Sequence, residues 1–264
     1  MKLSSLIATF NRLPLWRQRL KVWGFSMRAP SFDRWFYLWM HRLGRMGREE
    51  ADFFSKVIRP GMHVADVGAN IGLYSLYLSR CAGPTGQIYS FEPDQLMAAT
   101  LRKNLAENNA SQVEVFECAV GATEGEIILQ RNAMNSGDNR VGKTTGSALH
   151  NEQVSVPICA LKNVLKGRRL DFIKMDVQGW EGEALKGVSD LLDANRDLKI
   201  YFEFWPHGLR LAGTEIEQLA DTLRQLELQV TLADSSDQDI AVDLMELDKN
   251  LAAKAFINLL AFRL

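Results

Sequence analysis

The stretch Val64–Gly72, VADVGANIG, decides how this chain is read. A short apolar run ends in an aspartate, then valine, then two glycines four residues apart. A strand that runs straight into glycine turns sharply, and such a turn lets a ligand approach the backbone. The dinucleotide fingerprint G-x-G-x-x-G is incomplete, because Gly68 and Gly72 stand alone with the polar Asn70 between them. No G-K-[ST] follows, which excludes a Walker loop. The turn is built for something other than phosphate.

Asp66 precedes the turn at the end of the strand. A carboxylate there faces the crevice beyond the carboxyl edge of a parallel sheet, where ligands of such folds bind. It repels a pyrophosphate and suits a cation. The next strand-like run ends in Phe91-Glu92-Pro93, with Glu92 twenty residues past Gly72. A carboxylate at that point accepts hydrogen bonds from both hydroxyls of a ribose. The pair describes a nucleoside site whose ligand carries positive charge and no phosphate. S-adenosylmethionine meets that description.

Around this unit the chain alternates. Strand-like runs at 63–67, 87–91, 113–120, 171–177 and 199–205 are mostly separated by helical runs at 71–79, 95–108, 180–188 and 215–226. Met97, Leu101 and Leu105 share one face of the second helical run. Such repetition predicts an α/β fold with a mostly parallel sheet covered on both faces. Two departures stand out. Strand-like pieces at 126–130 and 153–159 flank a polar, Gly-rich stretch, NAMNSGDNRVGKTTGS, and the runs 229–233 and 256–262 predict a closing pair with an antiparallel member.

Bulk composition bounds the rest. With 47% hydrophobic and 24% charged residues in 264, neither disorder nor a fibre is indicated. A net charge of −1 argues against a surface that grips nucleic acid throughout. Residues 1–60 nevertheless hold 12 Lys/Arg against 4 Asp/Glu, leaving 19 against 28 in the remainder. Trp16, Trp23, Trp35 and Trp39 fall in the same segment. Residues 1–55 are therefore expected to form a basic, aromatic-rich helical extension, with 56–264 as the main domain. The run RWFYLWMHRL, Arg34–Leu43, reads as a helical lid, or else as a surface that meets a membrane or an anionic substrate.

Cys81, Cys118 and Cys159 are scattered and form no C-x-x-C, so no disulfide or zinc site is expected. Cys118 reads as a buried spacer rather than a reactive thiol. A cytoplasmic location fits this cysteine usage, with the inner face of a membrane as a further option. The first residues make a poor signal peptide, and no apolar stretch approaches the ~20 residues that cross a bilayer.

Four blocks resemble the FkbM-type S-adenosylmethionine-dependent methyltransferases: PGMHVADVGANIGLYSL (60–76), YSFEPD (89–94), CAVG (118–121) and LDFIKMDVQGWEGEALKG (170–187). Their order is more specific than any one block. The resemblance implies a class I, Rossmann-like fold: a mostly parallel seven-stranded sheet with helices on both faces. It implies Asp66, Gly68, Asn70 and Gly72 at the methionine end of the donor. It implies Glu92, with the adjoining Pro93, at the ribose, and Cys118 and Ala119 at the adenine.

Methyl transfer is an in-line displacement, so the enzyme must align the acceptor and exclude water, and a base helps when the acceptor is a hydroxyl. Asp176, beyond the fourth strand-like run, is the first candidate for base or acceptor-orienting group, and it also borders the donor. Gln178 stands where the family often has glutamate and joins the substrate contacts. Glu203 is placed at the pocket edge, and His207, a loop histidine after proline, suits proton transfer near neutral pH. Asp176 and Glu203 together are oxygen ligands of the kind Mg2+ takes. Asn135, Asn139 and Arg140 of the Gly-rich insert are acceptor contacts implied by the resemblance.

The expected acceptor is a hydroxyl of a small molecule or glycan, such as a sugar or a surface-polysaccharide or lipid-linked unit. N-methylation of a small amine is the alternative within the class. RNA methylation is the more distant option, because DVQG stands where exocyclic-amine enzymes carry an N/D-P-P-Y/F block. A protein that binds the donor without turnover is opposed by Asp66, Glu92 and Asp176 occurring together.

Overall fold

The computed structural model describes residues 20–30, 47–142, 150–233 and 240–264. Strands β1 (Leu20–Val22) and β2 (Phe25–Met27) pair as a hairpin, and α1 (Arg48–Val57) follows. Then β3 (His63–Val67), α2 (Leu73–Ala82), β4 (Gln87–Phe91), α3 (Gln95–Glu107) and β5 (Val113–Phe116) alternate. An inserted layer comprises β6 (Ala119–Val120), β7 (Gly125–Asn132), β8 (Arg140–Val141) and β9 (His150–Cys159). Alternation resumes through α4 (Leu161–Val164), β10 (Phe172–Met175), α5 (Glu181–Leu185), α6 (Ser189–Ala194), β11 (Lys199–Phe204), α7 (Pro206–Ala212) and α8 (Ile216–Gln225). The elements β12 (Gln229–Leu232), α9 (Leu244–Asn250) and β13 (Ile257–Phe262) close the chain.

Seven strands form the main sheet in the order β12-β13-β11-β10-β3-β4-β5. Six of them share one direction, and β13 alone is reversed, antiparallel to both of its neighbours. The mostly parallel seven-stranded α/β sheet is thus present, with its antiparallel closing strand. Alternation along the strands divides their side chains between two faces. Ala65, Val67, Ile173, Met175, Ile200 and Phe202 pack with Leu185, Leu219 and Leu223 from helices. Val64, Phe172 and Tyr201 pack instead with Phe54 and Leu78. Both faces are covered, which is why these strands are apolar almost throughout.

From β3 the chain builds outward to β4 and β5, then returns to β10 and β11 on the other side. Strand order reverses between β3 and β10, and ligands of open α/β sheets bind beyond the carboxyl ends at such a point.

Three expectations change. Residues 20–27, within the segment expected to be helical, form the β1–β2 hairpin, whose turn Trp23-Gly24 has positive φ at both residues. Asn104 on α3 and Asn108 at its C-terminal cap capture the backbone of Arg28 and Ser26 and dock the hairpin on the main domain. Trp16, Trp35, Trp39 and the run Arg34–Leu43 lie outside the described residues. The 113–120 run also divides: β5 ends in the main sheet, whereas β6 pairs with β9 in the inserted one.

The third change concerns the cysteines. Cys118 and Cys159 are joined as a disulfide, their Cα atoms 5.9 Å apart, within the usual range for such a bond. This corrects the expectation of none. The β6–β9 pairing brings together residues 41 positions apart. Cys81 is free and partly exposed. No helix among the described residues is long and apolar enough to cross a membrane.

Candidate active site

After β3 the backbone turns through Gly68 (φ 81°) and Asn70 (φ 49°) to Gly72 (φ 88°), which caps α2. A Cβ at Gly68 would lie 1.9 Å from the Asp176 carbonyl oxygen, and one at Gly72 would lie 2.2 Å from Leu101 Cδ1. The first glycine lets the ends of β3 and β10 meet, and there the Asp176 N–H donates to the Val67 carbonyl at 3.0 Å. The second lets α2 sit against α3. Asn70 tolerates its left-handed conformation because its short polar side chain bonds locally. Its Oδ1 accepts from the Ile71 N–H at 2.7 Å, and its Nδ2 donates to Ser136 Oγ at 3.1 Å.

A cavity partly open to solvent lies at this switch point, where open α/β sheets bind their ligands. Of the residues singled out from sequence, Gly68, Asn70, Glu92, Pro93, Cys118, Ala119, Asn139, Asp176 and Gln178 line it. Phe91, Val120, Leu129, Val141 and Trp180 add apolar wall. The Trp180 indole N–H donates to the Val120 carbonyl at 3.1 Å, tying the start of α5 to the inserted layer. Phe91 is itself backed by Phe116, stacked at 4.9 Å.

Glu92 is almost fully buried. Its Oε2 accepts from the Asn70 N–H at 2.7 Å and its Oε1 from the Asp94 N–H at 2.9 Å. Burial pushes its carboxyl up to about 7 in spite of these two donors. Asp94 caps α3 through the Leu96 and Met97 N–H groups. It also receives Arg131 Nε at 2.7 Å and Asn139 Nδ2 at 3.3 Å. Asp94 and Arg131, neither assigned a role from sequence, thus lock the inserted layer onto the β4 end.

Asp66 does not line the cavity. It is fully buried, with Oδ2 accepting from the Ser75 hydroxyl at 2.6 Å and Oδ1 facing Lys174 Nζ at 3.2 Å. Lys174 Nζ also reaches the Gly68 carbonyl at 3.3 Å and Asp176 Oδ2 at 3.8 Å, and lies 5.0 Å above the Tyr74 ring centre. Burial alone would lower the Lys174 pKa, but the Asp66 and Asp176 carboxylates outweigh it and hold it above the usual lysine value. Asp176 is about one third exposed, and its Oδ1 accepts from Gln178 Nε2 at 2.7 Å. Motif reading passes over Lys174. The available signal was a lysine inside the apolar run FIKM, where a charge persists only with partners.

Gly72, Asn135, Arg140, Glu203 and His207 also stand outside the cavity wall. Asn135 caps the turn at 136–138 by accepting from the Gly137 N–H at 3.0 Å. Arg140 pairs with Asp138 at 2.6 Å and stacks over Trp205 at 4.8 Å. His207, expected in a loop, lies in the first turn of α7 because Pro206 is pre-organised for a helix start. It is half-buried, its ring 5.8 Å from that of Trp205. Glu203 sits opposite Asn258 of β13. Burial raises its carboxyl to about 9, with repulsion from Asp176 and Glu181 adding to the effect. Burial likewise raises Glu181 to about 7, and raises Glu50. Among the described residues no group of three His, Cys, Asp or Glu side chains is placed to hold a metal ion, so the Mg2+ expected at Asp176 and Glu203 finds no site there.

The family model described as Methyltransferase FkbM domain matches residues 66–258. Methyltransferase sdnD of Sordaria araneosa is 30% identical over 157 residues, covering 48% of this chain and 60% of that protein. Here the match spans less than two thirds of the relative. Methyltransferase 1 of Beauveria bassiana (strain ARSEF 2860) is 26% identical over 199 residues, covering 68% of this chain and 73% of that one. The 2-O-methyltransferase NoeI of Sinorhizobium fredii (strain NBRC 101917 / NGR234) is 25% identical over 228 residues, covering 80% and 86%.

Proposed function

The chain belongs to the FkbM methyltransferase family, and we propose that it moves the methyl group of S-adenosylmethionine onto a hydroxyl of a small molecule or glycan. Glu92 carries the donor reading. Each of its oxygens accepts one backbone N–H and keeps a lone pair for a ribose hydroxyl. Phe91, Ala119, Val120 and Trp180 offer apolar wall for a flat base, and Asp176 offers negative charge to a sulfonium. When bound, the donor supplies an electrophilic methyl on a good leaving group.

The remaining work falls to this chain's own side chains. Asp176, at the cavity and held by Gln178, takes the hydroxyl proton or orients the acceptor. Likeness to a protein named a 2-O-methyltransferase supports the hydroxyl over an amine. The excess of Lys and Arg in residues 1–60 suits an acceptor presented at a membrane.

Calorimetry with S-adenosylhomocysteine tests the donor site, and absence of binding sinks it. A screen of sugar, lipid-glycan, amine and RNA acceptors with labelled donor tests the hydroxyl, and label confined to amines or RNA replaces it. With the acceptor so found, Asp176→Asn is expected to cut turnover about 100-fold while affinity for S-adenosylhomocysteine, which lacks the sulfonium charge, changes little. Unchanged turnover removes Asp176 from the mechanism.

A further inference from the structure

Lys174 is the only Lys or Arg among the described residues that is buried, yet the reaction as set out above does not use it. Its ammonium stands among three oxygens from three places: Asp66 on β3, the Gly68 carbonyl in the turn, and Asp176 beyond β10. We propose that Lys174 is a positioning residue that fixes the charge Asp176 presents to the sulfonium of the donor, a role that rests on the donor reading above.

The contacts form a continuous chain. The Ser90 hydroxyl donates to Ser75 Oγ at 2.9 Å, Ser75 donates to Asp66, Asp66 faces Lys174, and Lys174 faces Asp176. Gln178 holds the far oxygen of Asp176. Asp176 is therefore restrained on both oxygens, one by a neutral amide and one by a cation. Asp66 is fully buried and faces Lys174, so its part in donor binding passes through that lysine.

The charge balance gives the role its content. Two carboxylates and one ammonium leave a single net negative charge beside the cavity. Without the ammonium, Asp66 and Asp176 become two neighbouring anions, one of them fully buried. Other titratable groups that act on this cluster are Glu203 on β11, Glu181 on α5, Glu50 on α1 and Tyr74 on α2. All are retained when wild type is compared with a Lys174 variant, so the difference between the two proteins isolates Lys174.

The test compares S-adenosylmethionine with S-adenosylhomocysteine, which differ by one methyl group and one positive charge. Their dissociation constants are measured by calorimetry at pH 8 in wild type and Lys174→Met. The ratio of the two constants cancels damage that affects both ligands alike. In Lys174→Met the preference for the sulfonium is expected to rise about tenfold over wild type. A variant ratio equal to wild type overturns the proposal, whatever happens to the separate affinities.

If Lys174→Met does not fold, Lys174→Gln removes the charge while keeping an N–H donor inside the cluster. Its preference for the sulfonium is expected to exceed wild type about tenfold. A wild-type ratio there also overturns the proposal. Wild-type protein that binds neither compound overturns the donor reading and this role with it, whereas normal binding with unchanged ratios overturns this role alone.

Discussion

The carboxyl end of β4 and the carboxyl ends of β10 and β11 belong to one sheet but treat their carboxylates in opposite ways. At β4, Glu92 has a backbone N–H on each oxygen, and Asp94 has a helix start and Arg131. At β10 and β11, Asp176 and Glu203 lie within electrostatic reach of Glu181 and Glu50, with Lys174 opposing the repulsion. The first end is completed by the chain's own donors and shaped before anything binds. The second holds like charges together at a cost, which is the condition in which proton affinities move and a reaction is placed. On the proposed reading the first end meets the donor's ribose, and the second meets its sulfonium and the acceptor.

Substitutions at the two ends break or sharpen this contrast. The largest effect is expected at their junction. Gly68→Ala puts a Cβ 1.9 Å from the Asp176 carbonyl in a backbone with φ 81°, so β3 and β10 must part. Affinity for S-adenosylhomocysteine is expected to fall about 1000-fold or the protein to unfold, read by calorimetry and circular dichroism. Affinity close to wild type would show that the junction does not hold the two ends together. Glu92→Gln comes next. It replaces one of two charged acceptors by an amide, and a loss of about 30-fold in donor affinity is expected from the weakened hydrogen bonds. A loss no larger than that of Asp176→Asn would erase the division of labour.

The β4 end was the more legible from sequence, and the reason is range. VADVGANIG and YSFEPD are local: strand, turn, acid and cap lie within a few residues of one another, so Gly68, Asn70 and Glu92 reach the cavity as the motifs imply. The alternation of strands and helices is local too, and the sheet follows from it. What escaped depends on partners distant along the chain. Asp66 looked like a ligand contact because Lys174, which occupies it, lies on another strand. The Cys118–Cys159 bond needed β6 to leave the main sheet, and nothing within 113–120 announces that departure. His207 was misplaced for a local reason, since Pro206 opens a helix as readily as it marks a loop.

The smallest expected effect concerns stability, and it tests whether the β10–β11 end carries the cost ascribed to it. The folded protein raises the Glu203 carboxyl from 4.5 to about 9, first by burial and then by Asp176 and Glu181. A raised carboxylate pKa means that the folded state keeps a proton the unfolded chain has released. Folding is therefore opposed progressively as pH rises from about 4.5 towards about 9, and not below that window. Glu203→Gln removes the titration. After discounting for the burial of an amide that needs its own partners, a gain of about 1 kcal/mol is expected at pH 8, or about 3 °C in Tm, with none at pH 4. Glu92→Gln should gain less, because its window closes at about 7 and its amide serves only one of the two N–H donors as well as before. Thermal unfolding of the three proteins at both pH values decides the matter. Equal gains at the two positions, or none for Glu203→Gln at pH 8, would show that the β10–β11 carboxylates cost the fold no more than the completed pair at β4.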